Sequence, residues 1–244
     1  MNLMSEQVKK SGAEILFASV NRLVPEGEKK LVFIQDGRTL VGRALIIATG
    51  TTVKKLKVPG EAEFLGRGIS YCAVCDAPFY KGKKVAVIGG GDAAIEEAIY
   101  LSGFASSVVV IHRRDELRTA KVLQKAAFEK DNIHFLWDSE VKEFRGGKKL
   151  EELVIFNKKN NETLTIPFDG VFIYVGILPA LDFVYEKLAT DSEGFITTDE
   201  NLQTSIAGVF AAGDVRSKSL KQVVTAVSDG ALAAASAYHY LKEH

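Results

Sequence analysis

A chain of 244 residues that is 47% hydrophobic and 25% charged has the composition of an ordinary globular protein, long enough to bury one large core or two smaller ones. Its 31 basic and 31 acidic side chains cancel, so bulk charge argues against a nucleic-acid or anionic-membrane partner, and no apolar run reaches the roughly 18 residues of a membrane helix. The opening "MNLMSEQVKKSGAE" lacks the apolar segment of a secretory signal, which makes the cytoplasm the expected compartment.

In chain order, "EQVKKSGAEILFA" is predicted to begin as a helix and to pass through Gly12 into a strand. "KKLVFIQDGRTLVGRALIIATG" reads as strands, with Asp36-Gly37 as a hairpin turn. "KKVAVIGGGDAAIEEAIYLSGFASSVVVIHRR" is strand, glycine turn, helix and strand, a βαβ unit. Within its helix Ile95, Ala98, Ile99 and Ser102 follow helical spacing, with Glu96 and Glu97 on the opposite face. "RTAKVLQKAAFEKDN" is predicted helical, "IHFLWDSEVKEFRGGKKLEELVIFNKKNNETLTIPFDGVFIYVG" a meander of strands, and "KQVVTAVSDGALAAASAYHYLKEH" a long helix rich in small residues. The segments "RALIIATG" and "DGVFIYVG" are both apolar strands ending in glycine, with Pro59 and Pro179 shortly after. They read as the same strand in two related domains. The spacing from Gly89 to Gly176, laid back from Gly50, runs past Met1, so the glycine turn of the first domain is not expected in this sequence.

The turn Gly89-Gly90-Gly91-Asp92-Ala93-Ala94 fits G-x-G-x-x-A after an apolar strand and before an amphipathic helix. Gly89 permits the tight turn, Gly91 lets the backbone approach a pyrophosphate, and Ala94 keeps helix and strand close. The helix start offers free N–H groups to phosphates. The next strand ends in "HRRDELR", about two dozen residues beyond Gly89. An acid there would bond a ribose 2′-hydroxyl; His112, Arg113, Arg114 and Arg118 instead suit a 2′-phosphate, which favours NADPH over NADH. The bland reading is a solvated charge run.

The two cysteines, Cys72 and Cys75, exclude a disulfide framework and a four-cysteine zinc site; no metal site is expected. A buried inert pair remains possible on composition, but Cys-x-x-Cys spacing suits a reversible dithiol. Asp76 follows directly and is a candidate acid for a departing sulfur, or else a turn residue before Pro78. In "GVFAAGDVRSKSLKQVVTA" a strand delivers Gly213 and Asp214 to a loop, which on local grounds is a turn.

Taken together, "CAVCD", "VAVIGGGDAAIEEA", "HRRDELR", "ATG" and "GVFAAGD" resemble, in order and spacing, the low-molecular-weight thioredoxin reductases, over essentially the whole chain. Related ferredoxin-type reductases lack the dithiol. The resemblance implies an α/β fold with two Rossmann-like dinucleotide-binding domains: a flavin domain from residues 1–52 and 180–244, and an NADPH domain over 53–179 carrying the cysteines. It implies NADPH held by Gly89, Gly90, Gly91, Asp92, Ala94, His112, Arg113, Arg114, Arg118 and Gly176. FAD would be lined by Thr49, Gly50, Gly213, Asp214, Lys221, Gln222 and Val223. Cys75 would face the flavin, Cys72 would exchange with a thioredoxin-like protein, and Asp76 would be the acid; a homodimer is implied too. Lys221 stands where the family has arginine, and Ala180 where it usually has asparagine. The family's opening G-x-G-x-x-G unit, which binds the ADP half of FAD, finds no match, so a partial flavin domain is expected. The alternative reading is an NADPH-binding module, or one part of a two-chain assembly, without flavin turnover of its own.

Overall fold

The computed structural model describes residues 2–184 and 188–244, with the side chains of Asn2 and Leu3 excepted. The chain divides into two compact units, one from residues 1–52 and 178–244, the other from 53–177.

In the first unit, α1 (Asn2–Lys10) leads into an antiparallel three-stranded sheet of β1 (Val20–Glu26), β2 (Lys29–Ile34) and β3 (Thr39–Gly42). The predicted turn joins β2 to β3, with Gly37 at φ 90° and the Arg38 amide bonded to the Asp36 carboxylate at 3.0 Å. The strand expected over "AEILFA" does not form: residues 13–19 carry no ladder, and Phe17 is 95% exposed. A short apolar run suits a strand, but a strand also needs a neighbour, and none of the described strands pairs there. β4 (Leu45–Ile47) follows, then β5 (Thr51–Val53).

The second unit is built on a parallel sheet. β6 (Ile69–Ser70) leads into the short helix α2 (Ala73–Asp76) and a 3₁₀ turn over Ala77–Tyr80. Then come β7 (Lys84–Ile88), α3 (Asp92–Ser102), β8 (Ser107–Ile111), α4 (Lys121–Phe128) and β9 (Ile133–Leu136). An antiparallel meander of β10 (Ser139–Gly146), β11 (Leu150–Asn157) and β12 (Glu162–Pro167) precedes β13 (Gly170–Ile173). The parallel order is β6-β13-β7-β8-β9, so β9 and β13 leave the expected meander and join the main sheet.

Strands β7, β8 and β13 are apolar along their length because both faces are covered. Val85, Val87, Val108, Val110 and Phe172 pack with Ala94, Ile95, Ala98 and Leu101 of α3. Ala86, Ile88, Val109, Ile111, Val171 and Ile173 pack with Phe144, Leu150, Leu153 and Ile155 of the meander. The helix predicted over residues 118–132 is shortened to α4, because the Arg118 amide donates to the Gly90 carbonyl (2.9 Å) and the chain stays extended to Ala120.

The chain returns through β14 (Ile177–Pro179), which pairs with β5, and β15 (Val209–Ala211), which lies parallel to β4. It ends in α5 (Val223–Glu243). The two glycine-ended strands behave alike, since each is in a parallel pairing and each terminal glycine has positive φ, 66° at Gly50 and 112° at Gly176. No helix among the described residues is long and apolar enough to cross a membrane.

Candidate functional site

The register of the parallel sheet decides which residues meet. Ile173, Ile88 and Ile111 are aligned across β13, β7 and β8, and Phe172 is aligned with Ser70 of β6. The residues just beyond these strand ends therefore gather along the carboxyl edge of the sheet: Cys72, Tyr174, Gly89 and His112. Open α/β sheets present their ligands at this edge.

Gly89 turns the chain at φ 150°, and a Cβ there would run into the Tyr174 carbonyl and Ala94. A Cβ on Gly90 would overlap the His112 ring. Gly91, by contrast, faces open space and starts α3 in an extended conformation, φ −98° and ψ −177°. The three glycines thus serve a tight turn, a packed histidine and an unfilled approach to the helix start.

His112 is 4% exposed, and its Nε2 has no hydrogen-bond partner among the described residues. Burial lowers its pKa, and the positive charge of Arg118, Arg113 and Arg114 adds to this against a hydrogen bond with the Glu116 backbone. The ring is therefore kept neutral. The three arginines are exposed, and among the described residues no carboxylate pairs with any of them. Asp92 is committed locally, accepting from the Thr119 hydroxyl (2.5 Å) and the Ala120 amide (3.0 Å).

Cys72 and Cys75 form a disulfide. Cys72 caps α2, its sulfur accepting from the Cys75 amide at 3.3 Å, while its own amide donates to the Ser70 hydroxyl at 3.0 Å. Cys75 is exposed and Cys72 partly so. Asp76 ends α2, with its amide bonded to the Cys72 carbonyl and no partner among the described residues for its carboxylate. Glu97, expected on the solvent face of α3, instead has a buried Oε2 without a partner among the described residues, and burial with the Glu96 charge raises its pKa. Sequence reasoning also missed Tyr174, whose hydroxyl accepts from the Ala73 amide at 2.8 Å.

In the first unit, Thr49 donates through its hydroxyl to the Ala180 carbonyl (2.8 Å) beside Gly50. Gly213, at φ 76°, donates its amide to Asp229 (3.0 Å). Asp214 has a buried Oδ1 that makes no hydrogen bond among the described residues; Lys218 lies 3.7 Å away, within ion-pair but beyond hydrogen-bond reach. Lys221 donates to the Arg216 carbonyl (2.9 Å) and lies 3.8 Å from the Phe195 ring centroid. Burial lowers its pKa. The Gln222 amide is bonded to Thr225 at 3.2 Å, and Val223 is exposed at the start of α5. Asp229 was not anticipated, although it is the single acid of α5 before Glu243. It joins Arg216 (3.1 Å) and Lys218 (3.0 Å) under Gly213.

The profile of the pyridine nucleotide-disulphide oxidoreductase family matches residues 2–230. The chain is 45% identical to the thioredoxin reductase of Bacillus subtilis (strain 168), over 99% of this chain and 77% of that protein. It is 43% identical to the thioredoxin reductase of Listeria innocua, over 98% and 75%. The solved thioredoxin reductase of Lactococcus lactis (FR conformation) is 42% identical with a TM-score of 0.89, covering 99% of this chain and 80% of that one. With a disulfide and a glycine turn on one sheet edge, and these relatives along its length, the chain belongs to the pyridine nucleotide-disulphide oxidoreductases, among the thioredoxin reductases.

Proposed function

We propose that this chain carries electrons from NADPH through FAD to the Cys72–Cys75 disulfide and on to a thioredoxin-like protein, working in the cytoplasm as a homodimer. The observation that carries the reading is the placement of Cys72 and Gly89 on one carboxyl sheet edge, within one compact unit.

The residues present suit NADPH, and those of the first unit suit the end of FAD away from its ADP half. For NADPH, Gly91 leaves open the space a pyrophosphate would need, and the start of α3 offers amide donors. Gly89, Gly90 and Ala94 shape the turn, Asp92 fixes the loop beside it, and Gly176 ends the strand segment. Arg113, Arg114 and Arg118 supply guanidinium groups that no carboxylate pairs among the described residues, suited to a 2′-phosphate, and His112 supplies a neutral ring whose buried Nε2 has no partner among them. For FAD, Asp214 has a buried oxygen free to accept from a hydroxyl, and Gly213 allows close backbone approach. Thr49, Gly50, Lys221, Gln222 and Val223 would add to that lining. Bound FAD supplies the two-electron link between nicotinamide and disulfide.

Once reduced, the Cys72 thiolate attacks one sulfur of the partner's disulfide, which breaks as a mixed disulfide forms. Cys75 then attacks the Cys72 sulfur, closing the Cys72–Cys75 bond and releasing the partner as a dithiol. Asp76 gives a proton to a departing sulfur. Purified protein is expected to show a flavin absorption band that bleaches on adding NADPH, and to reduce a thioredoxin in turn. A colourless protein that binds NADPH without turnover would defeat this reading.

A further inference from the structure

Tyr174 touches both halves of the site. Its amide donates to the Ile88 carbonyl (2.8 Å), and its own carbonyl borders Gly89 so closely that no Cβ fits there. Its side chain reaches the other way, and the hydroxyl accepts from the Ala73 amide at 2.8 Å. Ala73 is fully buried and follows Cys72 as the first residue of α2. Among the described residues no other acceptor holds that amide. The phenol is itself half-buried against the core beneath α3.

We propose that Tyr174 is a positioning residue for the redox pair, holding the first turn of α2 in the arrangement that closes the Cys72–Cys75 disulfide. The inference rests on the reading that this pair is redox-active. A buried N–H stripped of its acceptor is costly, whereas a bond exchanged for one to water is nearly neutral. In the disulfide form the Cys72–Cys75 bond ties both ends of the turn, so the Ala73 amide cannot turn to another acceptor. Opening the bond releases the turn, and the amide can find water. Removing the Tyr174 hydroxyl therefore penalises the oxidised form more than the reduced one. Burial pushes the Tyr174 pKa up to about 12, with Glu97 and Asp76 adding to the rise, so the phenol stays neutral at working pH.

The test is a thiol–disulfide equilibrium with dithiothreitol, read by alkylating free thiols and weighing the protein. Two electrons and two protons pass from the reagent, which closes to its cyclic disulfide, to the sulfurs of Cys72 and Cys75. For Tyr174→Phe the equilibrium constant for reduction is expected to rise about tenfold, equivalent to about 30 mV for a two-electron couple. Tyr80→Phe is the control, since Tyr80 packs on Phe172 at 5.2 Å in the same core, and it is expected to stay within a factor of about two. A Tyr174→Phe constant within twofold of the parent, or equal shifts in both variants, would overturn the proposal. A parent disulfide that dithiothreitol cannot reduce would overturn the redox reading and this inference with it. Amide exchange in the unaltered oxidised protein tests the bond independently of folding in a variant. Ala73 is expected to exchange more slowly than Val74, and equal rates would count against the bond.

Discussion

Asp92, at the start of α3, accepts hydrogen bonds from the Thr119 hydroxyl at 2.5 Å and the Ala120 amide at 3.0 Å. The contact ties the end of the arginine loop to the helix that opens the glycine turn. A second tie runs beside it, from the Arg118 amide to the Gly90 carbonyl. Asp92→Ala is therefore expected to loosen Arg113, Arg114 and Arg118 together and to weaken NADPH binding by about three- to tenfold, the range for one or two lost hydrogen bonds. Binding titrations check this. Those two bonds also hold the Asp92 carboxyl below its ordinary pKa. A group depressed on folding stabilises above its unfolded pKa, and that contribution fades as pH falls through the folded one. The loop is expected to loosen below about pH 4 in the parent, where a free aspartate titrates, and Asp92→Ala is expected to lose that dependence.

Arg113 has no carboxylate partner among the described residues, so its removal leaves no buried charge behind. Folding stability of Arg113→Ala is expected to match the parent within about 0.5 kcal/mol. NADPH affinity is expected to fall about ten- to a hundredfold, the worth of a charge-assisted contact, with NADH affinity nearly unchanged. Paired titrations with the two nucleotides decide it, and equal losses would rule out a 2′-phosphate contact.

Local pattern was enough to read the βαβ unit in the sequence, because strand, glycine turn and amphipathic helix are all short-range signals. Pairing was not. "IHFL" is four residues of apolar chain that suit a meander and a parallel sheet equally, and only the register of Ile111 against Leu136 assigns it. The same limit hid Tyr174, whose place beside Cys72 follows from β13 lying between β6 and β7. Residues 13–18 failed in the opposite direction, since the apolar run there is not matched by a neighbouring strand among the described ones. Glu96 and Glu97 read in sequence as one charged face, but consecutive helical residues lie about 100° apart, so Glu97 turns toward the buried side while Glu96 stays exposed. Asp214 was legible only through the family resemblance; its structural hallmark, a buried oxygen with no hydrogen bond, is invisible in sequence.

Asp229 is expected to carry stability in the first unit. Its side chain is 12% exposed, and it faces Arg216 and Lys218, at 17% and 10%. Burial alone would raise its pKa, but the Lys218 bond, the Gly213 amide and the Arg216 charge outweigh it and hold the carboxyl below its ordinary range. The stabilisation is thus present above about pH 4, the unfolded aspartate range, and is lost as pH falls through the lower folded value. Asp229→Asn keeps the shape but leaves two cations facing each other, which is expected to cost about 2 kcal/mol at neutral pH, less than for a fully buried pair. Denaturant melts at pH 7 and pH 3 check it. The gap between parent and variant is expected to narrow at the lower pH, and a constant gap would show that the charge is not what matters.

Gly90 and Gly91 are adjacent and are expected to respond oppositely to the same added methyl. At Gly90 the new Cβ would overlap the His112 ring, which is buried between the turn and Trp137 and has little room to retreat. Gly90→Ala is therefore expected to destabilise the second unit by about 1–3 kcal/mol, the range for overpacking. At Gly91 no atom lies within 4 Å of the new Cβ, and its φ of −98° suits alanine. Stability of Gly91→Ala is expected to hold or to rise slightly, by up to about 1 kcal/mol, since alanine restricts the unfolded chain. The methyl would then stand where a pyrophosphate must approach the start of α3, and NADPH affinity is expected to fall at least about tenfold, one lost phosphate contact. Melting and nucleotide titration on both variants separate the two roles. If Gly91→Ala bound NADPH as tightly as the parent, the open space beside it would not be the phosphate site, even with Gly90→Ala behaving as expected.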